Sequence, residues 1–337
     1  MLRICSAPWK QLTLPAMLIR MMTKRTANRG IYTATVQCND RLCDEHYRLT
    51  LLVSDFPRST PGQFVELHTQ AAPVDPAHAH LEWEPDGPFP HPRGIEFISP
   101  RPFLRRPYSI AAHKTENGAS VIDIVYRVIG RMTHQMEALR VNDRISLIGP
   151  LGQGFTIPAG TTRVILAGGG VGIPPMLYLA SHLAQQHVPT MALIGVQRQS
   201  LLPLRVIDPG PSNLPVPQLC IEEFARFGIP AIITTDDGSL GVSGRITSAL
   251  DFVLSQLAKP GVIVCCCGPT RMMQATAEVS QGYGVTCLAS LEQPMACGMG
   301  TCQSCIIKYR SSGAADWTYK LTCTDGPVFN TRDIIWN

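Results

Sequence analysis

Charge is scarce in this sequence. Of its 337 residues only 16% are Asp, Glu, Lys or Arg, and 7% are aromatic. The first 30 residues contain no acid, the first being Asp40, yet they hold six cations: Arg3, Lys10, Arg20, Lys24, Arg25 and Arg29. The formal net charge of +4 therefore belongs to that tail, because the remaining 23 of 29 Lys and Arg face all 25 acids. No Lys/Arg run or aromatic–basic stripe occurs later, which excludes nucleic acid as a partner. With 45% apolar residues the chain is neither disordered nor collagen-like, and its length predicts about two domains.

A membrane span is also missing. Residues 164–197 contain no Asp, Glu, Lys or Arg, but Gly clusters and Pro break any helical period there. The stretch reads as strand, turn, helix and strand of a buried α/β unit. The acid-free tail lacks a small-residue cleavage pattern, and Pro15 interrupts its apolar part. It is expected to be a disordered extension, or a start set upstream of the true one at Met17, Met21 or Met22. The expected location is the cytoplasm.

Hydrolytic machinery is absent as well: no Ser-His-Asp elbow, no H-E-x-x-H and no paired carboxylates. His68, His78, His80 and His91 stand in or beside a Pro-rich segment without metal-site spacing and read as solvated loop residues.

What the chain does have is twelve cysteines. Cys5, Cys38, Cys43 and Cys220 are scattered, while Cys265, Cys266, Cys267 and Cys287 lie on or beside apolar runs, where free Cys behaves as a small hydrophobe. The other four, Cys297, Cys302, Cys305 and Cys323, follow the spacing C-x4-C-x2-C with a distant fourth. That is the plant-type [2Fe–2S] spacing, and Gly298 and Gly300 let the loop wrap closely. Structural zinc is the alternative, although its usual paired C-x2-C knuckles are reduced here to one.

From Tyr32 to about Pro158 short alternating segments (32–37, 47–53, 64–68, 121–128 and 144–148) predict a small antiparallel barrel. Eight prolines between 73 and 102 interrupt it with a loop over 70–102. Beyond Arg163, strands and helices alternate: strand 163–167, helix 175–186, strand 191–196, helix 220–227, strand 231–234, helix 246–258, strand 261–266 and a helix to about 279. This predicts a doubly wound parallel sheet. The expected division is tail 1–30, barrel 31–158, nucleotide domain 159–289 and cysteine module 290–337.

Between strand and helix, Gly168-Gly169-Gly170-Val171-Gly172 makes a Gly-rich turn of the kind that cradles phosphate, though tight turns also use Gly for sterics. Cys267-Gly268-Pro269 forms a second such turn. Asp236-Asp237-Gly238 most simply makes a turn. In Arg105-Arg106-Pro107-Tyr108-Ser109, Arg suits a pyrophosphate and Tyr suits stacking on a ring system. Val125-Tyr126-Arg127 and Gly149-Pro150-Leu151-Gly152-Gln153-Gly154-Phe155 follow.

Taken in order, R-P-Y-S, GPLGxGF, GGGxGxxPM, CGP and the C-terminal cysteine pattern with CxDGPVF resemble the ferredoxin-reductase superfamily. Within it the chain is similar over about residues 31–337 to electron-transfer subunits of class 1B, NAD-dependent dihydroorotate dehydrogenase. The most specific strings are SLEQPMACGMGTCQSC, TCTDGPVF and TTDDGSLGVSG. The resemblance implies an antiparallel FAD-binding barrel, a parallel-sheet NAD domain and a small [2Fe–2S] module. It implies FAD at Arg106, Pro107, Tyr108, Ser109, Val125, Tyr126 and Arg127, with Met132, where the family usually has Gly, and Thr133 at the pyrophosphate. Nucleotide binding then falls to Gly168, Gly169, Gly170, Gly172, Cys267, Gly268 and Pro269, and the cluster to the four cysteines. The implied partner is an FMN-containing catalytic subunit, in a heterotetramer, that oxidises dihydroorotate in pyrimidine biosynthesis. Alternatives are a reductase subunit serving a hydrogenase, ferredoxin or oxygenase, and a zinc-stabilised nucleotide-binding module.

Overall fold

The computed structural model describes residues 29–69, 104–116, 118–208, 215–257, 259–311 and 316–336. All but the end of the basic tail, and the whole Pro-rich segment 70–102, lie outside the described residues.

Strands β1 (Gly30–Cys43) and β2 (His46–Val53) form an antiparallel hairpin whose two-residue turn places Glu45 at φ 60°. With β3 (Phe64–His68), β4 (Arg106–Ser109), β5 (Ala112–Glu116), β6 (Ala119–Arg127) and β7 (Arg144–Leu151) they make a seven-stranded sheet of order β4-β3-β7-β1-β2-β6-β5. Its two edge strands, β4 and β5, are consecutive in the chain and separated only by Ile110 and Ala111. Those two amides bond to opposite ends of the sheet, Ile110 N to Gln63 O and Ala111 N to Asp123 O. A sheet whose far edges are tied by two residues must curl on itself, which makes the predicted barrel. Alternating residues such as Val36, Leu49, Leu51, Leu67, Ile124 and Leu147 fill it. Helix α1 (Arg131–Glu137), which has too little apolar pattern to be read from sequence, adds Met132 and Met136 to that core.

The second sheet has the order β11-β10-β9-β8-β12-β13-β16. Strands β8 (Arg163–Gly169), β9 (Thr190–Val196), β10 (Ala231–Thr235) and β11 (Val242–Ser243) step outward in parallel; β12 (Val262–Cys267) and β13 (Thr286–Ser290) then return on the other side of β8. Helices α2 (Ile173–Gln185) and α3 (Glu222–Ala225) cover one face, α4 (Ile246–Leu257) and α5 (Thr270–Gly282) the other. The strand order reverses between β8 and β12, the switch point where open α/β sheets bind ligands. The helix expected over 220–227 shrinks to four residues because Ile221 is held extended by a bridge to Val206 and Gly228 turns at φ 68°.

A three-stranded sheet of β14 (Ile306–Arg310), β15 (Trp317–Leu321) and β17 (Ile334–Ile335) completes the molecule, ordered β15-β14-β17. Between its strands, β16 (Val328–Asn330) leaves to pair antiparallel with β13, so the C-terminal segment extends the parallel sheet. Among the described residues no helix is long and apolar enough to cross a membrane.

Candidate functional site: a cleft beside four cysteines

A cleft of about 1030 Å³ opens where the barrel, the switch point and the C-terminal segment meet. The barrel contributes Arg106, Pro107, Tyr108 and Ser109 from β4 and Val125, Tyr126 and Arg127 from β6; Gly130, Met132 and Thr133 stand at the rim. Gly172 follows β8, while Cys267 ends β12 and Gly268 follows it. The structure therefore gathers most of the residues singled out from sequence around one cavity.

Their side chains are not equally free. Arg127 is paired with Glu45 at 2.7 Å, whereas among the described residues the Arg106 guanidinium reaches only the carbonyls of Leu104 and Arg105, at 3.2 and 3.0 Å. Arg106 is thus the readier partner for a phosphate. Burial pushes the Tyr108 phenol up to about 12, keeping it neutral and suited to stacking. Tyr126 turns into the barrel core, stacks on Tyr47 at 5.7 Å and donates its hydroxyl to Asn39 Oδ1 at 3.0 Å. The Met132 side chain lies in the same core, and Thr133 Oγ1 accepts the amides of Ile129 and Gly130.

The Gly-rich turn divides in the same way. Gly172 lines the cleft, and a Cβ there would stand 2.2 Å from Cys267 O, so Gly is required for the two strand ends to meet. Gly168 and Gly169 lie against Ile173 and Met272, while Gly170 takes φ 52° in open space; these three, and Pro269, lie outside the cleft lining. Asp237 forms the expected turn by accepting Ser239 N at 3.0 Å and the Ser239 hydroxyl at 2.6 Å.

The four cysteines sit beside the cleft as an outer and an inner pair. Cys302 is exposed, and its amide bonds Cys297 Sγ at 3.4 Å; hydrogen bonding from Ser304, helped by Cys297, pulls its thiol down to about 6. Cys305 and Cys323 are buried against Phe64 and Leu151, and burial, with the Cys305 contact, pushes Cys323 up to about 12. Among the described residues no three His, Cys, Asp or Glu side chains are drawn together as around a single ion. Two pairs of thiols suit two irons better than one zinc. Gly298 and Gly300, at φ 64° and 91°, let the loop pass close to its neighbours. Donor set and loop thus fit a [2Fe–2S] cluster.

Residues that sequence reasoning left unassigned also enter. Phe64 lines the cleft on one side and packs on Cys305 and Cys323 on the other. Ser290 through Ala296, at the end of β13, close the cleft from the cysteine side. The GPLGQGF hinge touches the C-terminal DGPVF string, with Gln153 N bonded to Gly326 O and Gln153 Nε2 to Thr324 O at 3.2 Å.

A flavin-type barrel joined to a parallel nucleotide sheet, with a cysteine-rich module at the junction, defines a ferredoxin-reductase-like oxidoreductase. Solved structures agree on the fold: that of an NADH-dependent reduced ferredoxin-NADP oxidoreductase superposes with a TM-score of 0.64 at 22% identity, covering 90% of each chain. The sequence profile of the iron-sulfur cluster binding domain of dihydroorotate dehydrogenase B matches residues 292–335. The dihydroorotate dehydrogenase B (NAD(+)) electron transfer subunit of Caldanaerobacter subterraneus subsp. tengcongensis is 33% identical over 76% of this chain and 91% of its own. That of Bacillus caldolyticus is 32% identical over 89% and 97%. The chain belongs to this family of electron transfer subunits.

Proposed function

We propose that this chain carries electrons from an FMN-bearing dihydroorotate dehydrogenase catalytic subunit, through a [2Fe–2S] cluster and FAD, to NAD+. The observation that carries the reading is the position of Phe64, one side chain touching both the cleft and the inner cysteine pair. We assign residues 31–158 to FAD, 159–289 to the nicotinamide nucleotide and 290–337 to the cluster, with the subunits paired in a heterotetramer.

FAD supplies the exchange between two-electron hydride traffic with NAD and one-electron traffic with the cluster. The protein's part is binding, orientation and exclusion of water. Arg106 holds a flavin phosphate, Tyr108 and Ser109 face the ring system, and Val125 and Arg127 form the opposite wall. Gly172, Cys267 and Gly268 receive the nucleotide at the switch point, with Gly168, Gly169, Gly170 and Pro269 shaping the turns behind them. Cys267, pushed up to about 12 by burial and by Glu292, stays a neutral thiol there. Cys297 and Cys302 hold one iron, Cys305 and Cys323 the other. Dihydroorotate reacts on the partner, so no proton-transferring residue toward carbon is required here. Four thiols that must stay reduced until loaded support a cytoplasmic location.

Purification tests this directly. The expected product is coloured, holds FAD, iron and sulfide, and bleaches with dithionite; a colourless zinc protein would overturn it. With the catalytic subunit added, NADH should form from dihydroorotate only when both chains are present. Failure of the two to associate would move the chain to another reductase system.

A further inference from the structure

Strand β3 carries an acid in an unusual place. Val65 and Leu67 point into the barrel core, so by the two-residue period Phe64 and Glu66 point outward. An outward carboxylate on a small barrel ordinarily meets water. Glu66 is 1% exposed instead, because the loop between Cys297 and Cys302 lies on it. A Cβ on Gly298 would stand 2.6 Å from Glu66 Oε1 and 2.8 Å from its Cδ. Among the described residues that same oxygen is buried without a hydrogen-bond partner.

Its electrostatic surroundings are few. Burial pushes the Glu66 carboxyl up, Arg105 pulls it down, Cys302 pushes it up and Arg106, the weakest of the four, pulls it down. The Arg105 guanidinium is itself partly buried, and it donates to Ser146 O at 3.1 Å and Ser146 Oγ at 2.7 Å. The acid and the cation thus act on each other at a distance. A charge so placed, away from water, is felt strongly by its neighbours.

We propose that Glu66 is a positioning and potential-setting residue for the iron–sulfur cluster: its carboxylate backs the loop at Gly298 and lowers the cluster's reduction potential, with Arg105 opposing it. The proposal rests on the cluster reading above. Reduction adds one negative charge to a group already bound by four thiolates. A neighbouring carboxylate raises the energy of the reduced form more than that of the oxidised form, and a neighbouring guanidinium does the reverse. The two side chains therefore have opposite effects on one measurable quantity, which a purely structural role does not produce.

The test is a redox titration of the purified holoprotein followed by the electron paramagnetic resonance of the reduced cluster, at alkaline pH so that the carboxyl is ionised. Glu66→Gln keeps the shape and removes the charge, and should raise the midpoint potential. Arg105→Gln should lower it. Iron, sulfide and flavin contents should match the wild type in both. No shift in either variant, or shifts of the same sign, overturns the proposal. If Glu66→Gln does not retain the cluster, Arg105→Gln decides alone: a lower potential supports the proposal, an unchanged or higher one overturns it. A wild-type protein without iron and sulfide defeats the cluster reading itself and is recognised by having no signal to titrate.

Discussion

The Tyr178 hydroxyl, on helix α2 of the parallel sheet, donates to the carbonyl of Ser59 in the barrel at 2.7 Å. Its ring is a member of the barrel core although its backbone belongs to the other half of the molecule. The same helix begins at the Gly-rich turn, so this contact fixes where the switch point stands relative to β4 and the flavin side of the cleft. Tyr178→Phe keeps the ring and leaves Ser59 O without its donor. The expected loss is about 1 kcal/mol of stability. Because that bond joins the halves, KM for NADH should rise more than kcat falls when diaphorase activity is assayed with an artificial acceptor. A fall in kcat alone would show that the contact does not set the cleft.

Beside it, His113 is held in one protonation state. Ser59 N donates to His113 Nδ1 at 3.1 Å, Nε2 faces Ser120 Oγ at 3.0 Å, and the Ser120 hydroxyl donates to Phe56 O at 3.0 Å. An acceptor at Nδ1 means neutral imidazole. Burial, helped by Arg58, lowers the His113 pKa. The unfolded chain therefore binds a proton first as pH falls below about 6.5, and stability is lost from there down through the folded value. Thermal melts between neutral and mildly acidic pH should show that loss. His113→Gln should flatten the slope, and an unchanged slope would rule out His113 as a contributor. His46, also lowered by burial, keeps part of it.

The two arginines that the barrel strands give the cleft, Arg106 and Arg127, separate by their existing partners. Arg106→Ala removes a guanidinium with no carboxylate partner among the described residues and should weaken flavin retention about 10- to 100-fold, the worth of one or two charge-assisted hydrogen bonds. Arg127→Ala breaks the half-exposed pair with Glu45, worth about 1 kcal/mol or less, and should weaken retention less. Flavin fluorescence in the filtrate after dilution measures both. Equal losses would refute this ordering.

Much of this was legible in the chain because its chemistry is local in sequence. Cysteine spacing, R-P-Y-S and the Gly-rich turn announce themselves within a few residues, and the alternation of 47–53 or 64–68 is that of a half-buried strand. Four things were hidden for a common reason. Strand β5, with the string AHKTE, has no apolar face, and α1 owes its place to Met132 and Met136 entering a core built from distant strands. Tyr178 reads as an ordinary core position of α2, and nothing local says that the core it enters is the barrel's. Phe64 and Glu66 read as the solvent side of β3 until residues more than two hundred positions later are laid over them. Local patterns specify an element and its faces; what covers a face is set by long-range packing.

The inner and outer cysteines should differ before any cluster is present. Cys305 and Cys323 are buried among Phe64, Leu151 and Leu321, where a thiol packs as a small hydrophobe. Cys305→Ser places a hydroxyl there and should destabilise the cluster-free protein by about 1–3 kcal/mol. Cys302→Ser, at an exposed site, should stay within about 0.5 kcal/mol. Both should abolish cluster loading while FAD is retained. Equal melting temperatures of the cluster-free variants would contradict the burial difference.

Gly298 and Gly300 offer a final separation, between backbone conformation and crowding. Both have positive φ, so Ala at either is strained by about 1–2 kcal/mol. At Gly300 the added Cβ meets a Thr324 methyl at 3.0 Å, a side chain that can give. At Gly298 it meets the buried Glu66 carboxyl at 2.6 Å, which is hemmed in by the barrel below. Gly298→Ala should therefore reduce cluster content per flavin more than Gly300→Ala. Shortening the acid removes the collision and leaves φ strained, so Glu66→Ala combined with Gly298→Ala should recover part of the loss. The two single changes should then be non-additive, as expected for residues in contact. Strict additivity in iron-to-flavin ratio would show that the loop does not rest on Glu66.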